Sequence, residues 1–230
     1  MKAFLYGLGL QFRLDIRSRS LLLTCYVVPL AFFALMGGIF TSVMPQSSGT
    51  LIQSMSVFVI AMGAVIGVPP QICEEYSGAI KKVYKANGVT LCAGVITHFI
   101  SAFIHLLIVC AIIFAVAPVA FGASLPQNTA AYIGLLALYI AVSLSVGCVF
   151  GLFGKSPSSL AMYAQIVFLP SILLSGIMFP ADMLPDFLRY IGYIFPAMTS
   201  FAAWQLPVLF CELAAMVALC ALRLKFLAKN

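Results

Sequence analysis

Charged side chains are scarce in this chain. Only 8% of its 230 residues are Asp, Glu, Lys or Arg, whereas 63% are hydrophobic and the mean hydropathy is +1.14. A soluble domain carries roughly 25% charged residues, and a chain of this length cannot hide so much apolar surface in a water-soluble globule. The shortage of charge therefore excludes a soluble protein and predicts an integral membrane protein.

Motifs for disulfides, metals and nucleotides are also missing. The seven cysteines are odd in number and show no metal-ligand spacing, so we expect small buried apolar residues. Gly154–Ser156 resembles the end of a phosphate-binding loop, but that loop needs a glycine where Val149 stands. We therefore expect this chain to bind no cofactor and to have no catalytic residues of its own.

Six apolar runs approach or exceed the roughly 20 residues that a helix needs to cross a bilayer. They cover Leu21–Val43, Leu51–Val68, Leu91–Ala117, Ala130–Phe153, Leu160–Met178 and Pro207–Leu222. The second run is expected to end at Pro69 and Pro70, because proline removes a backbone donor. The sequence thus predicts an all-α integral membrane protein with six transmembrane helices in one domain, residues 1–230.

The basic residues predict the orientation of these helices. If the N-terminus is cytoplasmic, eleven of the twelve lie inside, as the positive-inside rule requires, and only Arg189 lies outside. The eleven are Lys2, Arg13, Arg17, Arg19, Lys81, Lys82, Lys85, Lys155, Arg223, Lys225 and Lys229. We expect a plasma-membrane protein with both termini cytoplasmic. The net charge of +6 is then a topology signal that favours membrane lipids, not nucleic acid, as partners.

Two segments depart from a plain six-helix bundle on the cytoplasmic side. Residues 1–20 place apolar residues on one helical side and basic residues opposite, which indicates an interfacial helix; a flexible basic leader is the alternative. The apolar set is Leu5, Leu8, Phe12 and Ile16, and the basic set is Lys2, Arg13 and Arg17. The connection 71–88 has glutamates at its start and lysines at its end, an order that complements a helix dipole. It predicts a docking helix, or else a solvated helical extension.

A third segment lies on the outer side before the last span. Pro180, Pro185 and Pro196 forbid one continuous helix. The fifth span is expected to end near Phe179, and a new helix is expected to begin at Pro185. The pattern is typical of a short amphipathic or re-entrant helix within residues 179–204.

Two of these segments resemble the motifs of type-2 ABC exporter permeases. The coupling-helix motif of that family is matched by Glu74, Gly78, Lys81, Lys82 and Val83. The outer motif is matched by Leu174, Ser175, Gly176, Phe179, Pro180, Leu184, Pro185 and Pro196. The order of segments agrees with the family along the whole chain, although Asn87 and Gly88 replace the proline that often closes the coupling motif and the stretch after Pro196 is short.

The resemblance implies a mechanism and partners. Such permeases pair as homodimers or heterodimers, and separate cytosolic ATPase subunits bind ATP and Mg and push on the coupling helices. Here the coupling contact would be formed by Glu74, Glu75, Gly78, Ala79, Lys81 and Lys82. The outer gate would be formed by Phe179, Pro180, Leu184, Pro185 and Pro196. The cargo would be a drug, an antimicrobial peptide or a lipid-like molecule.

Ionisable and small residues inside the spans are further candidates. His98 and His105 share one face of the third span, and each is either a packing residue or part of a translocation path. Glu212 lies in the sixth span. Because an ionisable group in a bilayer is costly, we expect Glu212 either in the translocation path or at a pairing interface. Ser143, Gly147 and Gly151 form a stripe that allows close helix packing, which we expect within the protomer; a dimer seam is the alternative.

Other classes of membrane protein remain as alternatives. A stand-alone secondary carrier or channel would more often show inverted repeats, and none is evident. An intramembrane hydrolase would pair one of the histidines with Ser101, Ser143, Ser145 or Ser175, but no nucleophile motif supports it.

Overall fold

A computed structural model describes residues 2–42, 49–77, 79–174, 185–192 and 206–229. The regular elements in these ranges are helices, which we number α1 to α9 in chain order. They are α1 Lys2–Arg17, α2 Arg19–Ser42, α3 Leu51–Ser77, α4 Ala79–Ala86, α5 Leu91–Phe121, α6 Thr129–Phe153, α7 Pro157–Leu174, α8 Asp186–Gly192 and α9 Leu206–Lys229. Within the described residues, α2, α3, α5, α6, α7 and α9 are long and apolar enough to span a membrane. The prediction of an all-α protein with six spans is confirmed.

The helix α3 lies at the centre of the bundle. Of its most apolar stretch, 78% is buried inside the protein, compared with 6% for α9. It packs against α5, α6 and α7. Any movement of α3 therefore has to be accommodated by most of the bundle, whereas α9 leaves most of its apolar surface uncovered.

The expected end of the second span at Pro69 and Pro70 is wrong. The helix continues through both prolines to Ser77. A π-helical segment, Met62–Gly67, precedes them, and an α-helical segment starts anew at Val68. The prolines therefore occupy the first turn of that segment, where a backbone N–H has no partner within the helix and its loss is tolerated. The central span thus runs directly into the predicted coupling segment.

Glycines bring α3 and α6 into close contact. A Cβ atom on Gly147 would lie 2.2 Å from the carbonyl oxygen of Ala64, and one on Gly151 would lie 2.7 Å from Cβ of Ile72. Ser143 is buried on the same helix. The small-residue stripe therefore packs within the protomer, as predicted.

The outer segment is described only in part. The helix α7 is described to Leu174, and α8 begins at Asp186, directly after Pro185, whose carbonyl accepts a 2.9 Å hydrogen bond from the amide of Leu188. This agrees with the predicted helix start. Phe179, Pro180, Leu184 and Pro196 lie outside the described residues, so the outer gate stays a prediction.

The cysteines follow their expected role only in part. All seven are free, and Cys25, Cys73, Cys110 and Cys148 are buried. Cys92 and Cys211 are exposed, so the expectation of burial is wrong for them; an apolar side chain on a membrane protein is also stable facing lipid. Cys73, expected outside the spans, lies in α3 because that helix is longer than predicted.

Candidate functional site

The two glutamates of the predicted coupling segment point in different directions. Glu74 and Glu75 are neighbours near the end of α3, and consecutive helical residues are rotated by about 100°. Glu74 is exposed, whereas only 16% of the Glu75 side chain is accessible. The sequence motif therefore supplies one carboxylate to the surface and one to the interior.

Glu75 reaches across to the third span. Its Oε1 lies 2.9 Å from Nε2 of His98 on α5. This distance is that of an ion pair when the imidazole is protonated, and within the described residues His98 Nε2 and Glu75 Oε2 have no hydrogen-bond partner. The partners are far apart in sequence, so this contact ties the cytosolic end of α3 to α5.

The other ring nitrogen of His98 faces the N-terminal helix. Nε2 of Gln11 lies 3.1 Å from Nδ1 of His98, and Gln11 also donates a 2.8 Å hydrogen bond to Oδ1 of Asp15. The second oxygen of Asp15 accepts a hydrogen bond from the Ser101 hydroxyl on α5. We call Glu75, His98, Gln11, Asp15 and Ser101 the buried relay. It joins α1, α3 and α5 through side chains alone.

His105 contacts the same N-terminal region two turns further along α5. The Phe12 ring stacks on its imidazole with centroids 4.5 Å apart and an interplanar angle of 5°, and the Tyr26 hydroxyl lies 2.6 Å from Nδ1. Both histidines are buried. The structure thus places them inside the protomer, between α5 and the N-terminal helices, and their part in a translocation path stays a prediction.

The start of α5 is also fixed to the end of α3. The Tyr76 hydroxyl donates a hydrogen bond to the carbonyl of Leu91. Gly94 makes room for that side chain, since a Cβ there would lie 2.6 Å from the Tyr76 hydroxyl oxygen. Two side chains in succession, Glu75 and Tyr76, therefore anchor the last turns of α3.

The short helix α4 follows and carries the predicted docking surface. Lys82 and Val83 are exposed on it, and Tyr84 is partly buried. Its ring lies against α5, since a Cβ on Gly94 would be 2.9 Å from Cε2 of Tyr84. Burial, and to a lesser extent the carboxylate of Glu75, raises the pKa of Tyr84. Ala79 and Lys81 belong to the α4 backbone, whereas Gly78 lies outside the described residues.

Asn87 and Gly88 close α4 without a proline. The amide of Val89 donates to the carbonyl of Tyr84 at 2.9 Å, the amide of Asn87 donates to that of Val83 at 3.1 Å, and Gly88 has φ of +66°. A left-handed glycine after the helix, with a bond from the residue beyond it, is the Schellman type of helix end. The departure from the usual proline therefore still gives a defined helix end.

Sequence reasoning missed Gln11, Asp15 and Tyr26. Asp15 is only 3% exposed, although it lies on a helix whose apolar Leu5, Leu10 and Leu14 are exposed. The face of α1 that meets the protein is thus the one with Gln11 and Asp15. The four-residue spacing of Gln11 and Asp15 was the available signal, because such residues are neighbours on a helix surface.

Glu212 and a groove beside it form a second region of interest. Glu212 is partly buried in α9, and its Oε2 has no hydrogen-bond partner among the residues that the structure describes. Nearby, α5, α6 and α9 leave a groove of about 480 Å³ whose walls are almost wholly apolar.

A comparison with protein families decides the class. The model of the ABC-2 family transporter protein matches residues 44–203, which is more than half of the chain. The chain belongs to the ABC-2 transporter family. It is therefore a multi-pass membrane permease of an ABC transporter, that is, a transport component. The match takes in α3 to α8, including the predicted coupling segment, and does not extend over α1, α2 and α9. A comparison with curated proteins finds no match.

Proposed function

We propose that this ABC-2 permease is the membrane half of an ATP-driven exporter that couples to separate cytosolic ATPase subunits. The observation that carries the proposal is an exposed surface made of Glu74, at the end of the most buried span α3, and of Lys82 and Val83 on the adjoining helix α4. A partner that pushes on this surface acts on the centre of the bundle. ATP and Mg would be held by the partner, and a second permease copy or paralogue would complete the path.

The anchoring of α3 supports the transmission of such a push. Glu75 and Tyr76 attach the end of α3 to α5, and the relay continues from His98 to Gln11 and Asp15 on α1. A displacement of α4 is therefore passed to three helices at once. The hydrogen bonds from Gln11 and Ser101 to Asp15 hold α1 against α5 within this relay.

The orientation and the outer gate rest on sequence. The six spans alternate in direction, so helix ends fall on one side of the membrane or the other. One side holds basic residues in or near its helix ends, namely Arg13, Arg17, Lys82, Lys155 and Arg223. With the positive-inside rule, this supports cytoplasmic termini and a plasma-membrane location.

The proposed outer gate remains the set predicted from sequence, namely Phe179, Pro180, Leu184, Pro185 and Pro196. A drug, an antimicrobial peptide or a lipid-like molecule remains the proposed cargo.

The family membership favours a permease over a stand-alone carrier or channel. The hydrogen bonds of the candidate serines do not support the intramembrane hydrolase alternative. Ser101 donates to Asp15, and Ser145 donates to the carbonyl of Ala141. Ser175 lies outside the described ranges. Within those ranges, the polar side-chain partners of the two histidines are Glu75, Gln11 and Tyr26, and none of these serines hydrogen bonds to a histidine.

Reconstitution tests the proposal. The permease is co-expressed with an ABC ATPase subunit from the same genome, purified, and placed in liposomes, and ATP hydrolysis is compared with that of the free ATPase. We expect co-purification and a changed hydrolysis rate, and Glu74→Lys should remove both because it reverses an exposed charge on the docking surface. Gln127→Lys, which adds the same side chain at an exposed outer position, is the matched control. An ATPase that neither binds nor responds to the wild-type permease would overturn the proposal.

A further inference from the structure

A groove of about 550 Å³ lies between α6 and α7, next to the connection that joins them. Its apolar walls include Phe150 and Phe153 from α6 and Tyr163, Ile166 and Val167 from α7. Phe153, Tyr163 and Ile166 are exposed, so the groove opens at the surface of the bundle. It shares no lining residue with the groove beside α9, and the two are therefore separate.

The polar end of this groove lies at the connection between the two helices. Lys155 in that connection and Ser159 in the first turn of α7 line the groove there. Lys155 is exposed and, within the described ranges, forms no ion pair with a carboxylate. Val167 lies eight residues beyond Ser159, which corresponds to about 12 Å along the helix. The groove therefore changes from cationic to apolar along the direction of the spans.

A second cation lies beside this polar end, although it does not line the groove. Cζ of Arg223 on α9 lies 4.8 Å from the centroid of the Phe153 ring, which is one of the groove walls. Nε of Arg223 donates a 3.2 Å hydrogen bond to the carbonyl of Leu152 and so holds the guanidinium at the end of α6. Two positive charges are therefore present where α6 ends.

An anionic phospholipid fits both ends of the groove. Its phosphate compensates Lys155 and its acyl chain covers the apolar walls, and basic residues between membrane helices attract anionic headgroups in this way. A free anion would leave the walls uncovered, and a zwitterionic lipid would bring a cation of its own next to Lys155. A second copy of the chain fits less well, because its basic side offers mainly lysines and arginines, and its Asp15 and Glu75 are engaged inside the protomer.

We propose that the groove between α6 and α7 binds one anionic phospholipid, with its phosphate at Lys155 and Ser159 and an acyl chain against Phe150, Ile166 and Val167. This lipid is a bound ligand of the permease and not its cargo, so the inference goes beyond the proposed export function. On the proposed orientation, the lipid comes from the cytoplasmic leaflet.

Photocrosslinking in nanodiscs tests the site. The permease is placed in phosphatidylcholine nanodiscs that contain a small fraction of phosphatidylglycerol with a photoreactive group on one acyl chain, and the crosslinked peptides are identified by mass spectrometry. We expect saturable labelling of residues 150–167 that unlabelled phosphatidylglycerol displaces. A phosphatidylcholine probe with the same acyl chain should label these residues weakly, and soluble glycerol phosphate should not displace the anionic probe because it has no acyl chain.

Variants of Lys155 test the charged end. Lys155→Gln should lower the affinity for phosphatidylglycerol by about fivefold, the contribution of one basic residue near a membrane surface, and Lys155→Arg should restore it. Lys225→Gln removes an exposed lysine of α9 that does not line the groove. It is the matched control and should bind the lipid like the wild type.

Filling the groove tests the apolar end independently. Val167→Trp should strongly reduce labelling while Lys155 is kept, and Leu169→Trp, at an exposed position of α7 outside the groove, should be labelled like the wild type. If Val167→Trp does not fold, Ile166→Trp, at an exposed position of the same wall, replaces it. Thermal unfolding of each variant verifies the fold.

Four outcomes would overturn the inference. Equal affinity of Lys155→Gln and wild type, or equal labelling by the two probes, would show that the headgroup charge is not recognised. Displacement by glycerol phosphate would indicate a site for a free anion. Labelling of monomeric particles but not of dimeric ones, after separation by size, would make the groove an interface between two copies. Because no ATPase is present, each outcome leaves the proposed export function standing.

Discussion

Oε1 of Glu75 on α3 lies 2.9 Å from Nε2 of His98 on α5, while the adjacent Glu74 faces outwards. The two glutamates of the predicted coupling segment therefore have different surroundings. Glu75 holds the end of α3 to α5, and Glu74 is exposed, as the proposed contact with a partner requires. Substitutions at positions 74 and 75 should therefore have different effects.

Glu75→Lys should damage the fold and Glu74→Lys should not. A lysine at position 75 would place a cation against the His98 imidazole at a largely buried site, and a buried group left unsatisfied costs about 1–3 kcal/mol, more if it is charged. An exposed substitution such as Glu74→Lys usually changes stability by less than about 0.5 kcal/mol. Thermal unfolding of both purified variants measures the difference.

The same pair of variants separates folding from coupling. Glu74→Lys should keep the wild-type unfolding temperature and lose its effect on the partner ATPase, because only the docking surface has changed. Equal unfolding temperatures for Glu75→Lys and wild type would contradict the buried contact with His98.

Asp15→Ala should destabilise the attachment of α1. The substitution leaves the Ser101 hydroxyl and the Gln11 amide without their acceptor, and an unsatisfied buried group costs about 1–3 kcal/mol. Asp15→Asn should cost less, since one acceptor oxygen remains. Hydrogen exchange of residues 2–17 measures the attachment.

Leu14→Ala provides the matched control for Asp15. Leu14 is the preceding residue on the same helix and is exposed, so its truncation should leave exchange of α1 against α5 nearly unchanged. Faster exchange in Leu14→Ala than in Asp15→Ala would show that lipid contact, and not the relay, holds the helix.

The fold could be predicted from sequence to a large extent, because spans depend on local hydrophobicity. All six spans and the helix after Pro185 follow from runs of apolar residues and proline positions. The continuation of α3 through Pro69 and Pro70 could not be predicted, since it depends on a π-helical turn that places the prolines in the first turn of a new segment.

The candidate site could be predicted less well, because its contacts join distant parts of the chain. The sequence placed Glu75 in the coupling segment and His98 in a span, but it could not pair them. Asp15 was overlooked among basic residues on a helix expected to lie in the interface. Its burial depends on Ser101 of α5, which only the tertiary structure brings near.

Gly88→Ala should weaken the end of the coupling helix. Gly88 has φ of +66°, a conformation that costs a residue with a Cβ about 1–2 kcal/mol. Gly88→Asn should cost less, because asparagine tolerates this region better. Hydrogen exchange across residues 79–89 measures the effect, and Gly134→Ala, at an open helical position, controls for the added methyl group. Unchanged exchange in Gly88→Ala would contradict the left-handed helix end.

Gly147→Ala should destabilise the contact between α6 and α3. The new Cβ would lie 2.2 Å from the carbonyl oxygen of Ala64, and because this atom belongs to the backbone of the central helix, the helices have to move apart. Overpacking of this kind costs about 1–3 kcal/mol or more.

Gly134→Ala is the control on the same helix α6 and should have the opposite sign. No atom lies within 4 Å of a Cβ at Gly134, so alanine gains helix propensity of up to about 1 kcal/mol without a clash. Thermal unfolding of the two variants under identical conditions should therefore move the midpoint in opposite directions. A Gly147→Ala protein at least as stable as Gly134→Ala would contradict the close packing of α6 on α3, and with it the central position from which α3 is proposed to drive the bundle.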